Sequence, residues 1–242
     1  MQPDDKKPFM GHLEELRSRL VVCAIAVGVS FFVTYFFSER LFRILVAPLI
    51  KVMPAGEKLV YTGLPEMFMV YIKVALIAAV LLAAPVIFYE MWMFVAPGLY
   101  QKEKRFMLPF VISSTLLFVG GSLFGYLIVF PFGFQFFMGF SNDFVRALPS
   151  VGQYFSFSVK LLFAFGIVFE LPVVIFFLTK MGVVTPEFLT KKRKYAILIA
   201  FVVAAILTPP DVMTQFMMAV PLIVLYEVGV LVSRMARKKV KG

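Results

Sequence analysis

The chain has 242 residues, 61% of them hydrophobic, with a mean hydropathy of +0.93. A soluble domain usually holds about 45–50% apolar residues, so the excess must face something other than water. Charged residues make up only 16% and cluster between long apolar runs, which marks membrane spans and excludes an oversized soluble core.

From the N-terminus, the polar stretch 1–7 does not read as a cleavable signal, and the first apolar run is too long for a signal core and lacks a small-residue cleavage site after it. A helix needs about 20 apolar residues to cross the hydrocarbon core. Runs at 20–37, 70–94, 106–130 and 156–180 meet that length. The last apolar stretch is broken by Thr208-Pro209-Pro210-Asp211, which gives two short helices at 195–207 and 212–232. The expected fold is therefore an all-α integral membrane protein of six transmembrane helices, the last two short, forming a single domain over 1–242. The fifth helix is too short for a normal bilayer, so local thinning or shelter by neighbours is expected.

Six spans place the N-terminus, the loops around 102–105 and 191–194 and the C-terminal tail on one side, with sixteen Lys and Arg against five on the other. That asymmetry predicts both termini in the cytoplasm. It also accounts for the net charge of +10 without nucleic acid, because the cations flank the apolar runs. Of the two long outer segments, 38–69 and 131–155, the first opens with an amphipathic helix over 39–46, expected to stop at Pro48. No internal repeat is evident.

Enzyme chemistry fails on inventory. His12 is the only histidine and lies outside the membrane; Cys23 is the only cysteine. No disulfide, metal centre, P-loop or cofactor site is expected. Gly120-Gly121-Ser122-Leu123-Phe124 misses the G-x-S-x-G pattern, and its glycines read as helix packing. Asp143 and Asp211 fall in loops, which argues against an intramembrane aspartate pair.

The acidic residues remain. Glu170 stands near the middle of the fourth span, where a carboxylate costs about 2.5 kcal/mol or more to insert, and Pro172 bends the helix beside it. It serves either as glue between this chain's own helices or as the docking point of a partner helix or polar substrate. Glu14, Glu15 and Glu103 sit among cytoplasmic cations. They pair locally, Glu14 with Arg17 and Glu15 with Arg19, or they receive an arginine-bearing ligand. Glu90 and Glu227 lie near span ends, and Tyr89, Trp92, Tyr100 and Tyr226 fit an aromatic belt.

The segment His12-Leu13-Glu14-Glu15-Leu16-Arg17-Ser18-Arg19-Leu20 resembles the opening of the TatC family, the largest subunit of the twin-arginine protein translocase. The likeness continues through Ala47-Pro48-Leu49, Ala84-Pro85-Val86, Phe94-Val95-Ala96-Pro97-Gly98-Leu99-Tyr100 with Glu103, Phe130-Pro131, Phe169-Glu170-Leu171-Pro172, Lys191-Lys192-Arg193-Lys194-Tyr195 and Leu207-Thr208-Pro209-Pro210-Asp211. The resemblance implies a concave, glove-like six-helix bundle with both termini inside, in a bacterial or archaeal-type plasma (inner) membrane. It implies a non-enzymatic receptor for twin-arginine signal peptides of folded precursor proteins. Partners would be TatA- and TatB-type single-span subunits and further copies of the chain, with the protonmotive force as energy source. Glu15 and Glu103 match the family's signal-binding carboxylates, with Glu14, Arg17 and Phe94 beside them. Glu170 and Gln215 match partner-docking or buried polar positions, and Pro48 and Asp211 match positions tied to activity. The alternative from another class is a proton-coupled secondary transporter using Glu170, but such carriers usually show repeats or paired broken helices.

Overall fold

The computed structural model describes residues 6–54, 57–95, 107–141, 144, 147–208 and 211–238. Among them the regular structure is helical: α1 (Lys6–Tyr35), α2 (Ser38–Ile50), α3 (Glu66–Val95), α4 (Met107–Phe124), a π-helical turn (Gly125–Val129), α5 (Phe130–Met138), α6 (Val151–Phe169), α7 (Leu171–Lys180), α8 (Pro186–Lys191), α9 (Arg193–Leu207) and α10 (Val212–Lys238). Five stretches are long and apolar enough to cross a membrane: Gly11–Tyr35, Glu66–Val95, Leu108–Met138, Val151–Lys180 and Val212–Ala236. The helix α9 has 15 residues, about 22 Å, well under a hydrocarbon core of about 30 Å. The final helix is longer than the sequence reading sets it, at 27 residues. The buried Val230, Ser233 and Ala236 carry its packed face past 232, and long cationic side chains at such an end reach back to water.

The elements form two compact units, one from Met1–Leu41 and Tyr71–Thr115, the other from Phe42–Val70 and Leu116–Gly242. In the first, none of the apolar window of α1 is buried within the protein. Near its C-terminal end Thr34 Oγ1 donates to the carbonyl of Ala75 at 2.8 Å. Trp92 is not a belt residue. It is 5% exposed, stacks on Phe110 at 5.0 Å and donates through Nε1 to Ser114 Oγ at 3.2 Å. A buried indole needs such a partner for its N–H, and an inward-facing serine supplies it. Tyr89 is exposed, and Tyr100 lies outside the described residues.

In the second unit the core gathers Val46 and Leu49 of α2, Phe130 and Phe134 of α5, Leu161 and Phe165 of α6, Ala204 of α9 and Met218 of α10. Close approach relies on small residues, as expected where lipid gives no hydrophobic drive to helix association. A Cβ on Gly121 would stand 2.5 Å from the carbonyl oxygen of Phe165. Next to it Ser122 Oγ donates to the carbonyl of Leu162 at 3.1 Å. The glycine–glycine–serine run is thus a packing seam.

The segments 38–69 and 131–155 meet at one carboxylate. Val60 and Ser150 form an isolated parallel bridge. Glu66, the first residue of α3, accepts from the backbone N–H of Thr62 at 2.7 Å and of Gly63 at 3.1 Å through Oε2. Through Oε1 it accepts from Ser150 Oγ at 3.1 Å and from the N–H of Gly152 at 2.7 Å. Helix N-termini leave N–H groups without intrahelical acceptors, and Ser150, the N-cap of α6, makes no side-chain cap of its own. Glu66 therefore caps α6 from another element.

Candidate functional site

The N-terminal unit concentrates its charged groups where α1 begins and α3 ends. Glu15 and Arg19 lie one turn apart on α1, so their side chains share a face. Arg19 Nε and Nη2 both donate to Glu15 Oε1, at 3.1 and 2.5 Å. Its Nη1 donates to Glu90 Oε2 at 3.0 Å, 71 residues away on α3. The side chains of Glu15, Arg19 and Glu90 are 33%, 19% and 14% exposed. One turn earlier, His12 stacks on Phe94 with ring centroids 4.4 Å apart, and its Nδ1 stands 3.9 Å from Glu15 Oε2.

Thus the structure brings Glu15 and Phe94 to one place, through His12, and adds Glu90 and Arg19. The pairing of Glu15 with Arg19 read from their spacing is present. The corresponding pair of Glu14 with Arg17 is absent among the described residues; both side chains are exposed. Glu103 lies outside the described residues. What the sequence reading missed is the link from Arg19 to Glu90. The signal available was a lone carboxylate one turn inside the end of an apolar run, which carries no hint of its partner's position.

The remaining candidates lie in the other unit. Glu170 is the joint between α6 and α7: its N–H donates to the carbonyl of Ile167 at 3.1 Å, and Pro172 opens α7. The helix is interrupted here, as a proline two residues on requires. Glu170 is half-buried, with Oε1 fully enclosed. Gln215 donates through Nε2 to the carbonyl of Phe201 at 3.2 Å, tying α10 to α9. Asp211 is the N-cap of α10, accepting from the N–H of Thr214 at 2.7 Å and from the Thr214 hydroxyl, which is the usual work of an aspartate before a helix. Glu227 pairs with Arg193 at 2.7 Å, and Tyr226 donates to the carbonyl of Leu189 at 2.8 Å.

Pro48 does not stop its helix. It is buried inside α2, which continues to Ile50. Proline removes the N–H that would serve the carbonyl four residues back, here Ile44. Tyr126 Oη donates to that carbonyl at 2.5 Å, and Tyr154 Oη donates to the next one, Leu45, at 2.6 Å. The helix survives because its orphaned acceptor is served from outside. Tyr126→Phe should lower stability by about 1 kcal/mol. In a Pro48→Ala background, where the amide is restored, the same change should matter less. A double-mutant cycle of unfolding in detergent reads the difference; equal effects in both backgrounds would sever Pro48 from Tyr126.

No group of residues suited to hold a metal ion occurs among the described residues. Residues 11–221 match the family model described as Sec-independent protein translocase protein (TatC). The chain is 59% identical to the Sec-independent protein translocase protein TatC of Desulforapulum autotrophicum over 236 residues, covering 98% of this chain and 87% of that one. It is 42% identical to the protein of the same name from Escherichia coli over 234 residues, 97% of this chain and 91% of that one. A crystal structure of the twin arginine translocase receptor TatC superposes with a TM-score of 0.81 at 42% identity, covering 93% of this chain and 99% of that one. The chain therefore belongs to the TatC family of Sec-independent protein translocase proteins and is a membrane-embedded translocase component, not an enzyme.

Proposed function

We propose that the chain is the receptor core of its translocase, receiving signal peptides with paired arginines at Glu15 and Glu103, with Glu14, Arg17 and Phe94 around them. The observation that carries this reading is the N-terminal cluster. There a partly exposed carboxylate lies beside the His12 ring, which in turn stacks on Phe94. Carboxylates receive guanidinium through charge-assisted, often bidentate bonds that lysine cannot reproduce. The relative of known structure described as the twin arginine translocase receptor supports carrying the role over.

In the same reading the chain crosses a bacterial or archaeal-type plasma (inner) membrane six times, α9 included, with both termini cytoplasmic. The surplus of cations on one side supports that orientation. TatA- and TatB-type single-span subunits dock at the polar positions Glu170 and Gln215, further copies of the chain join the assembly, and the protonmotive force drives export of folded precursors.

The test is peptide affinity in Glu15→Ala, Glu103→Ala and the double variant, with Arg-Arg and Lys-Lys peptides. A shielded bond to a charged group contributes about 1.5–3 kcal/mol, and an exposed one less. Each single change should weaken Arg-Arg binding and shrink the preference over Lys-Lys. Full affinity and full preference in both single variants would place the receptor site elsewhere.

A further inference from the structure

The carboxylate assigned to the ligand already holds a guanidinium. We infer that Arg19 is a resident competitor for Glu15, and that Glu90 is the carboxylate that retains Arg19 when an incoming arginine takes its place. This rests on the reading of Glu15 as a guanidinium receptor and adds how that receptor is kept ready.

Three features of the cluster point to it. First, charge: two carboxylates share one guanidinium, so the trio of Glu15, Arg19 and Glu90 carries a formal surplus of one negative charge. A Glu15–Arg19 pair alone would be neutral and would not attract a further cation. Second, accessibility: Glu15, at 33% exposed, is the open member, whereas Glu90 is 14% exposed. A ligand arriving from water meets Glu15 first. Third, geometry: Arg19 uses Nε and Nη2 on one oxygen of Glu15 and turns Nη1 to Glu90. Oε2 of Glu15 faces His12 at 3.9 Å.

Exchange therefore leaves no shielded charge unpaired, which is the state that would be most costly. Before it, Arg19 bridges two carboxylates. After it, the ligand guanidinium holds Glu15 and Arg19 keeps Glu90. The resident arginine lowers affinity, and Glu90 limits that loss by offering Arg19 an alternative. The same device sets a threshold for ligands: an ammonium, lacking the planar fork, displaces a guanidinium poorly.

The experiment measures binding of a synthetic peptide bearing an Arg-Arg pair, and its Lys-Lys counterpart, to the purified full chain in detergent. Arg19→Gln should raise affinity for both peptides by about threefold or more and narrow the preference for arginine. Arg19→Lys, which keeps the charge and hence the fold's ion pair, should fall between wild type and Arg19→Gln. Glu90→Gln should weaken binding by a similar factor, because Arg19 then rests on Glu15 alone. The double variant should bind like Arg19→Gln, since Glu90 acts through Arg19. Unchanged or weaker binding in both Arg19 variants would overturn the inference. Glu15→Gln separates the two levels of the argument. If it abolishes binding while the Arg19 variants fail to gain, the competitor is refuted and the receptor reading stands. If it binds like wild type, both fall.

Discussion

Glu66→Gln should release the segments around Thr62 and Ser150 at once, and nearly as completely as Glu66→Ala. The partners of this carboxylate are backbone N–H groups of Thr62, Gly63 and Gly152 together with the Thr62 and Ser150 hydroxyls. Three of the five are obligate donors. A carboxylate presents acceptors on both oxygens, whereas an amide presents an NH2 on one side. Whichever way the amide turns, donor meets donor, either at Thr62 and Gly63 or at Gly152. Glu66→Asp is one methylene shorter and cannot span both groups. Backbone hydrogen exchange at 58–63 and 150–153 should accelerate together, by roughly tenfold or more, with exchange in the middle of α6 unchanged. Acceleration confined to 58–63 would show that α6 is capped without Glu66. The alanine and glutamine variants should be close to each other, which distinguishes loss of acceptor geometry from loss of packing.

Why this residue escaped the sequence reading is instructive. An acidic residue opening an apolar run reads as a helix N-terminus, and Glu66 is that. Its more important partners lie 84 and 86 residues further on, and no local spacing encodes them. The same limit hid Glu90 from Arg19. It also produced the misreading of Pro48, whose effect on α2 depends on a tyrosine 78 residues later. What was legible rests on quantities local in the chain: the apolar lengths of the long helices, the break before Asp211, the interruption at Glu170 and the i,i+4 pair of Glu15 and Arg19. Membrane segments expose these well, because each must satisfy its own backbone. The trio around Arg19 was half legible for that reason, its intrahelical half being visible and its interhelical half not.

The second large effect sets two neighbours against each other. Gly121→Ala should destabilise the protein by about 1–3 kcal/mol, the usual penalty of overpacking. Gly120→Ala should be neutral or raise stability by up to about 1 kcal/mol, the helix-propensity difference. The added methyl at 121 would meet the Phe165 carbonyl oxygen at 2.5 Å and the Cγ and Cβ of Phe169 at 2.7 and 2.8 Å. The first of these is backbone, on a residue with no exposed surface, so relief requires moving α6 itself. The methyl at 120 meets nothing within 4 Å. Thermal unfolding of the two single variants in detergent reads the contrast directly. Equal midpoints would mean that α4 and α6 separate easily, and would remove Gly121 from the packing seam.

The π-helical turn at Gly125–Val129 bears on how sequences of this kind are compared. There the N–H of Phe130 reaches back five residues, to the carbonyl of Gly125, so the turn holds one residue more than an α-helical one. An α-helix advances about 100° per residue. The extra residue is taken up inside the turn. Shortening 125–129 by a single residue would therefore return it to α-helical form and leave the buried Phe130, Gly133 and Phe134 on their present face. The same deletion a turn earlier or later would swing everything downstream by about that angle and carry those residues toward lipid. A one-residue gap in an alignment thus belongs at this place: here the bundle can gain or lose a residue without changing which side chains of α5 it keeps and which it gives to the bilayer.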